Sequence, residues 1–191
     1  MLFILIFGTF SFRTARLQLN TFRSLEEVAN SLTTWVAAGS TNMAAALRLA
    51  GDVMFTAVNG DRPDVPNYVV LITDGRSDNR TATVAAAERL RAAGVVIVVV
   101  GVGDSVDLVE LSLVASPPTS STVLPSAPRP GGRIDDRVLE AVVNIVCQNA
   151  EAGCAVTDVN YVVVAVVKVR GARGGSAPLL RLWRSLAPPP C

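Results

Sequence analysis

The sequence predicts an α/β fold: a doubly wound, mostly parallel sheet with helices on both faces. Two runs carry this prediction, residues 68–73 and 95–100, because almost every residue in them is apolar. Such runs indicate strands buried on both faces, as in parallel sheets covered by helices. A helical pattern containing Ala87 and Leu90 lies between them and has a stop signal at Gly94. The order strand, helix, strand is typical of this fold class.

The part of the chain before these strands predicts four further elements. We expect residues 2–7 to form a buried strand, because a basic n-region and a clear cleavage site are lacking, and the core of a signal peptide is the alternative. Residues 13–20 alternate as a half-exposed strand, and the capping box Ser24-Leu25-Glu26-Glu27 predicts a helix to about residue 36 or 38. A second helix from Thr41 has a core face made of Met43, Leu47, Ala50, Met54 and Ala57.

The rest of the chain predicts a short helix, a long loop, a last helix and an extension. The short helix covers residues 106–115, and the Pro- and Ser-rich loop 116–133 contains a brief edge strand at 122–124. Asp135 and Asp136 open the last helix, where acidic side chains are favourable. We predict a domain at residues 1–147 and a C-terminal extension at 148–191, with a stray strand at 159–169 and a disordered tail.

Composition excludes several function classes. Seventeen basic and sixteen acidic side chains nearly cancel, so the basic surface of a nucleic-acid-binding protein is lacking. The absence of histidine excludes Ser-His-Asp and Cys-His catalysis and histidine-ligated zinc. We therefore predict a protein that is not an enzyme, without a nucleic-acid partner or a membrane span. The odd set of Cys147, Cys154 and Cys191 leaves the disulfide pairing open.

Asp74 and Thr41 form the candidate site. Asp74 follows a buried strand, and Thr41 stands at a helix N-terminus. Ligands of open parallel sheets bind beyond the carboxyl ends of the strands, so both residues are expected at one edge. Carboxylate and hydroxyl oxygens suit Mg²⁺ or another hard divalent cation. The structural alternative is that Asp74 only closes its turn and Thr41 only caps its helix.

Four segments of the sequence carry a family resemblance: VVLITDGRSDN, AAERLRAAGVVIVVVGVGDSVDLVELSLVAS, GSTNMAAALRLAGDVMF and FGTFSFRTARLQLNTF. Together they resemble the von Willebrand factor type A domain, as found in collagen-like and matrilin-like matrix proteins. The resemblance covers about residues 2–147. It implies a Rossmann-like fold and a secreted, extracellular adhesion module that binds matrix proteins such as collagen. It also implies a metal-ion-dependent adhesion site for Mg²⁺, Mn²⁺ or Ca²⁺.

In that family the metal site combines DxSxS after the first strand, a threonine, and the aspartate of TDG. The resemblance makes the last two Thr41 and Asp74, whereas DxSxS has no counterpart because the chain begins at what resembles the second strand. We expect weak or lost metal binding, since Mg²⁺ prefers a near-octahedral set of oxygens. The neighbours of the missing central strand would leave backbone groups unpaired, at about 1–3 kcal/mol each. As an alternative to the stray strand, residues 159–169 fill that position.

Two other functions remain open on the sequence. Gly101 and Gly103, together with Asp74, suggest a nucleotide-binding α/β protein, although turn glycines explain the pattern equally well. The second alternative is that the chain is a partial gene product without independent function. Asn79-Arg80-Thr81 is an N-glycosylation sequon close to the candidate site.

Overall fold

The computed structural model describes residues 2–7, 41–59, 61, 63–64, 66–127, 134–148 and 161–167. Its strands are β1 (Leu2–Phe7), β2 (Asn67–Thr73), β3 (Val96–Val102), β4 (Val123–Ser126) and β5 (Tyr161–Val167). Its helices are α1 (Met43–Leu49), α2 (Arg80–Ala92), α3 (Leu108–Val114), the single turn α4 (Thr119–Thr122) and α5 (Asp136–Gln148). A π-helical turn, Ala50–Met54, extends α1, and a 3₁₀ turn follows at Ala57–Asn59.

The five described strands form one parallel sheet in the order β1-β5-β2-β3-β4. Between Tyr68 and Thr73, every residue of β2 is at most 1% exposed. Helix α1, helix α2 and the start of β3 pack onto the same apolar cluster, which includes Leu47, Leu71 and Leu90. This architecture confirms the predicted α/β fold class.

Strand β5 corrects one prediction. It pairs with β1 on one edge, from Leu2↔Tyr161 onward, and with β2 on the other, from Asn67↔Tyr161 to Thr73↔Val167. The run is therefore not a stray strand but fills the position between β1 and β2, which was the alternative. The physical reason is that pairing on both edges satisfies backbone N–H and C=O groups of three strands at once. The domain boundary at residues 147/148 remains a prediction.

Helix α1 keeps its predicted core face except at its end. Met43, Leu47, Ala50 and Met54 are at most 2% exposed, but Ala57 is exposed. The N–H of Phe55 donates to the Ala50 carbonyl at 2.9 Å, which is the i→i−5 hydrogen bond of a π-turn. Because this turn ends the helix, Ala57 leaves the helical periodicity on which its predicted burial depended.

The remaining predicted elements agree with the structure to within one or two residues. Helix α2 ends before Gly94, whose φ of 81° is the left-handed conformation of a C-terminal stop. Strand β4 is the predicted edge strand, and α5 begins at Asp136. The predicted strand at 13–20, the helix starting at residue 24 and the tail after residue 167 lie outside the described residues.

Candidate functional site

The structure joins the two loops of the predicted site. Thr41 lies just before α1, and residues 74–79, here called the rim segment, connect β2 to α2. The Thr41 N–H donates to Oδ1 of Asp78 at 2.9 Å, and the Asp78 N–H donates to the Thr41 carbonyl at 3.0 Å. This reciprocal pair brings Thr41 against the segment that begins with Asp74. We call Thr41 and the rim segment together the rim.

Thr41 does not cap its own helix. That role belongs to Asn42, whose Oδ1 accepts a hydrogen bond from the Ala45 N–H at 3.0 Å. Thr41 is only 6% exposed, and its hydroxyl forms no hydrogen bond with any other residue that the structure describes. Thr41 is therefore a buried residue of the rim, and its role as a ligand stays a prediction.

The turn after β2 is closed by the neighbour of Asp74. The buried Thr73 hydroxyl donates to the Gly75 carbonyl at 3.1 Å and lies 3.3 Å from the Gly75 N–H, which donates to it. Asp74 itself is half-buried and takes part in a polar interaction. The site therefore has a carboxylate on a turn that Thr73 already stabilises.

A buried acid on α3 holds the rim segment from the other side. Glu110 is 2% exposed, and its carboxylate accepts hydrogen bonds from the Ser77 N–H at 3.2 Å and from the Ser77 hydroxyl. Sequence reasoning did not identify Glu110. The available signal was an acid inside the mostly apolar stretch LVELSLV.

Asp107 adds an electrostatic contact to the same segment. Its carboxylate caps α3 by accepting from the N–H groups of Val109 and Glu110, and it lies 3.7 Å from Arg76 and 3.9 Å from Arg80. The hydrogen bond from the Glu110 N–H is the main cause that holds the pKa of Asp107 below its usual value, and Arg80 and Arg76 act in the same direction.

The donors at the rim fit a hard metal ion in kind but fall short in number. Within the ranges given above, no group of three or more Asp, Glu, Cys or His side chains is placed to hold a metal. Asp78 Oδ1 accepts a hydrogen bond from the Thr41 N–H, and the predicted ligands are the Thr41 hydroxyl and Asp74. Mg²⁺ prefers six oxygens, so these two ligands alone would bind it weakly. Their role as ligands remains a prediction.

The glycines of the nucleotide alternative have structural roles. Gly101 lies inside β3, where an added Cβ would come within 2.8 Å of Leu111 Cδ1. Gly103 has a φ of 85°, and its N–H donates to the Ser126 carbonyl at 2.9 Å. Close packing and a turn therefore account for both residues.

A family model, the von Willebrand factor type A domain, matches residues 9–127, more than half of the chain. The chain belongs to the von Willebrand factor type A domain family. It is 41% identical to mouse matrilin-4 and 38% identical to chicken matrilin-3, over 81 residues in each case, or 41% of this chain. It is 35% identical to the mouse collagen alpha-6(VI) chain over 85 residues, or 44% of this chain. These alignments cover only 12%, 17% and 4% of the three relatives.

Solved structures of the type A domain fold are also similar. Proximal thread matrix protein 1 from the mussel byssus is 27% identical, with a TM-score of 0.55 over 61% of this chain and 30% of the other. Another structure of the mussel protein, with a TM-score of 0.54, 27% identity and coverage of 61% and 29%, has a zinc-occupied MIDAS motif. Among the described residues of this chain, no helix is both long and apolar enough to cross a membrane.

Proposed function

We propose that this type A domain is an extracellular matrix module that binds another matrix protein, such as a collagen, through its rim and is not an enzyme. The observation that carries the proposal is the reciprocal hydrogen-bonded pair of Thr41 and Asp78, because it joins the loop of Thr41 to the segment that begins with Asp74. The similarity to matrilins and to a collagen VI chain supports the choice of partner and an extracellular location.

We further propose that the rim binds a hard divalent cation, Mg²⁺ or alternatively Mn²⁺ or Ca²⁺, and binds it weakly. Thr41 and Asp74 would hold the ion, and water would complete the coordination. A bound ion would supply a positive charge and an open coordination position for an acidic side chain of the partner. The zinc-occupied MIDAS motif of the similar mussel protein supports the location. Two protein ligands, rather than a full oxygen set, make weak affinity the expected outcome.

The test is a binding assay with the full chain on immobilised collagen I and collagen VI. Affinity is measured in 1 mM Mg²⁺, in 1 mM Mn²⁺ and in EDTA. Asp74→Asn and Thr41→Val each remove one candidate ligand at nearly constant shape, and each is expected to weaken binding at least about tenfold, or 1.4 kcal/mol. Asp64→Asn is the matched control. Asp64 is an exposed acid that precedes β2, so it lies near the N-terminal end of this strand, whereas Asp74 follows the C-terminal end.

Two results would contradict parts of the proposal. Equal affinity of the Asp74→Asn variant and the parent chain would remove the rim from the interaction, provided that both have the same melting temperature. Equal affinity in EDTA and in Mg²⁺, with Asp74→Asn still defective, would keep the rim and reject the metal. A divalent-cation titration followed by the melting temperature measures metal binding without any partner.

A further inference from the structure

We propose that Asn79, the last residue of the rim segment, carries an N-linked glycan that limits access to the rim. This inference rests on the extracellular location in the proposed function, because N-glycans are added in the secretory pathway. Asn79-Arg80-Thr81 satisfies the acceptor pattern, with arginine rather than proline in the middle. Such triplets also occur by chance, so the geometry of the folded site has to support the assignment.

The two terminal atoms of the Asn79 side chain have separate roles: Oδ1 caps the helix, and Nδ2 is the atom that a glycan modifies. Its Oδ1 accepts a hydrogen bond from the Ala82 N–H at 2.9 Å and thereby caps α2. Its Nδ2 donates to no residue in the described part of the chain. A sugar is attached to the nitrogen, so a glycan leaves the helix cap intact.

Exposure around Asn79 provides the space for a glycan. All three residues of the sequon are exposed. The buried residues of α2 are Thr83, Ala86, Ala87 and Leu90, and the first of them lies two residues after the end of the sequon. Attachment precedes folding, so the fold must only leave the glycosylated nitrogen in water, and this site does so.

In the glycosylation step, a lipid pyrophosphate-linked oligosaccharide is the sugar donor. The Asn79 Nδ2 forms a bond to the anomeric carbon of the first sugar and loses one proton. The bond from that carbon to the pyrophosphate oxygen breaks, and the lipid pyrophosphate leaves with the electron pair. No oxidation or reduction takes place.

The location of Asn79 connects the glycan to the rim. Asn79 follows Asp78 directly in the chain, and Asp78 forms the reciprocal hydrogen-bonded pair with Thr41. Arg76, in the same rim segment, is 77% exposed. A bulky hydrophilic group at Asn79 therefore stands next to the surface through which we propose that the partner binds.

Variants of the full chain test glycosylation of Asn79 separately from its role as the helix cap. The chain is expressed behind a secretion leader in mammalian cells, so that entry into the secretory pathway does not depend on its own targeting. We expect a mass decrease after treatment with peptide N-glycosidase for the parent chain and for Thr81→Ser. We expect no decrease for Thr81→Ala, which removes the sequon but keeps Asn79. A secreted parent chain without any mass decrease would overturn the proposal.

Access to the rim is measured by trypsin cleavage after Arg76 and Arg80, which needs no binding partner. Asn79→Asp is the helix-cap control, because aspartate also caps helices but accepts no glycan. We expect Thr81→Ala and Asn79→Asp to be cleaved at least about threefold faster than the parent chain, because the bulky group is gone. Equal cleavage rates in a glycosylated parent chain would overturn the shielding role. This outcome stays distinct from a failure of the proposed function, which is measured on collagen.

Discussion

At the scale of single residues, Glu110 is an acid that the fold buries at a cost. A buried carboxylate loses hydration, and only hydrogen bonds or opposite charges offset that loss. Here the Ser77 N–H and hydroxyl supply two hydrogen bonds. Because Ser77 lies between Asp74 and Asp78, Glu110 fixes the conformation of the segment on which the candidate site depends.

Replacing Glu110 with alanine is expected to lower the free energy of unfolding by about 1–3 kcal/mol, because the Ser77 N–H loses its acceptor. The free energy is measured by chemical denaturation, and amide hydrogen exchange reports Ser77 directly. Glu140→Ala is the control, since Glu140 is an exposed acid on α5. Unchanged exchange at Ser77 in Glu110→Ala would contradict the role of this side chain.

Asp107 predicts an acid-dependent stability. Its pKa is lowered in the folded state, so the folded state favours the ionised carboxylate. The stabilisation is therefore present above the ordinary aspartate pKa of about 4 and is lost as the pH falls through the lowered value. We expect Asp107→Asn to decrease the loss of melting temperature between pH 5 and about pH 2. An unaltered pH dependence in this variant would show that the ionised Asp107 carboxylate, through its hydrogen bond with the Glu110 N–H and its contacts with Arg80 and Arg76, does not stabilise the folded state.

At the scale of elements, the approach of α3 to β3 depends on Gly101. We expect Gly101→Ala to destabilise the fold by about 1–3 kcal/mol, because the added methyl group would overlap Leu111 and crowd Val106. Gly75→Ala is the matched control, as nothing lies within 4 Å of its added Cβ. Both free energies come from urea denaturation, and equal values for the two variants would be inconsistent with this packing.

Elements also show where local sequence patterns are sufficient. β2 and β3 were predicted to within two residues because their residues are almost uniformly apolar, and the stop at Gly94 correctly predicted the end of α2. Ala57 was assigned to the core wrongly, because a regular helical period does not anticipate the π-turn at Ala50–Met54. The change from i→i−4 to i→i−5 hydrogen bonds along a helix depends on packing, which local periodicity does not encode.

At the scale of the whole molecule, the last of the described strands lies at an interior position of the sheet. β5 follows every other described element in the chain, yet it separates β1 from β2. The sheet is therefore continuous only when residues 161–167 are in place. Breaking this strand is expected to disrupt the whole fold rather than one end of it.

Val164→Pro tests this arrangement. Val164 pairs with Leu5 on one side and Val70 on the other, and proline removes its N–H and is excluded from central strands. We expect a loss of about 3 kcal/mol or more, seen by circular dichroism as a broadened or absent thermal transition. Val164→Thr keeps the N–H and the β-branched shape, so it should melt cooperatively. A Val164→Pro variant that melts like the parent chain would place β5 outside the sheet.

Of the candidate site, the sequence indicated Thr41 and Asp74 but not what surrounds them. The strand end and the helix start placed both residues at one edge of a parallel sheet, and the hydrogen bonds between Thr41 and Asp78 agree with that placement. Ser77 and Glu110 went unrecognised, since a serine in a turn and an acid in a helix are ordinary in any sequence. The hydrogen bonds between them join two residues that are 33 positions apart in the sequence.

The sequence by itself determined the fold class, the principal strands and helices, and the family, because apolar periodicity and turn residues act over a few neighbouring positions. Only the tertiary structure decided where β5 pairs, which acid is buried, and that Asn42 rather than Thr41 caps α1. The contact between Thr41 and Asp78 spans 37 residues. Such contacts form because the whole sheet brings distant loops to one edge, and no local pattern specifies that outcome.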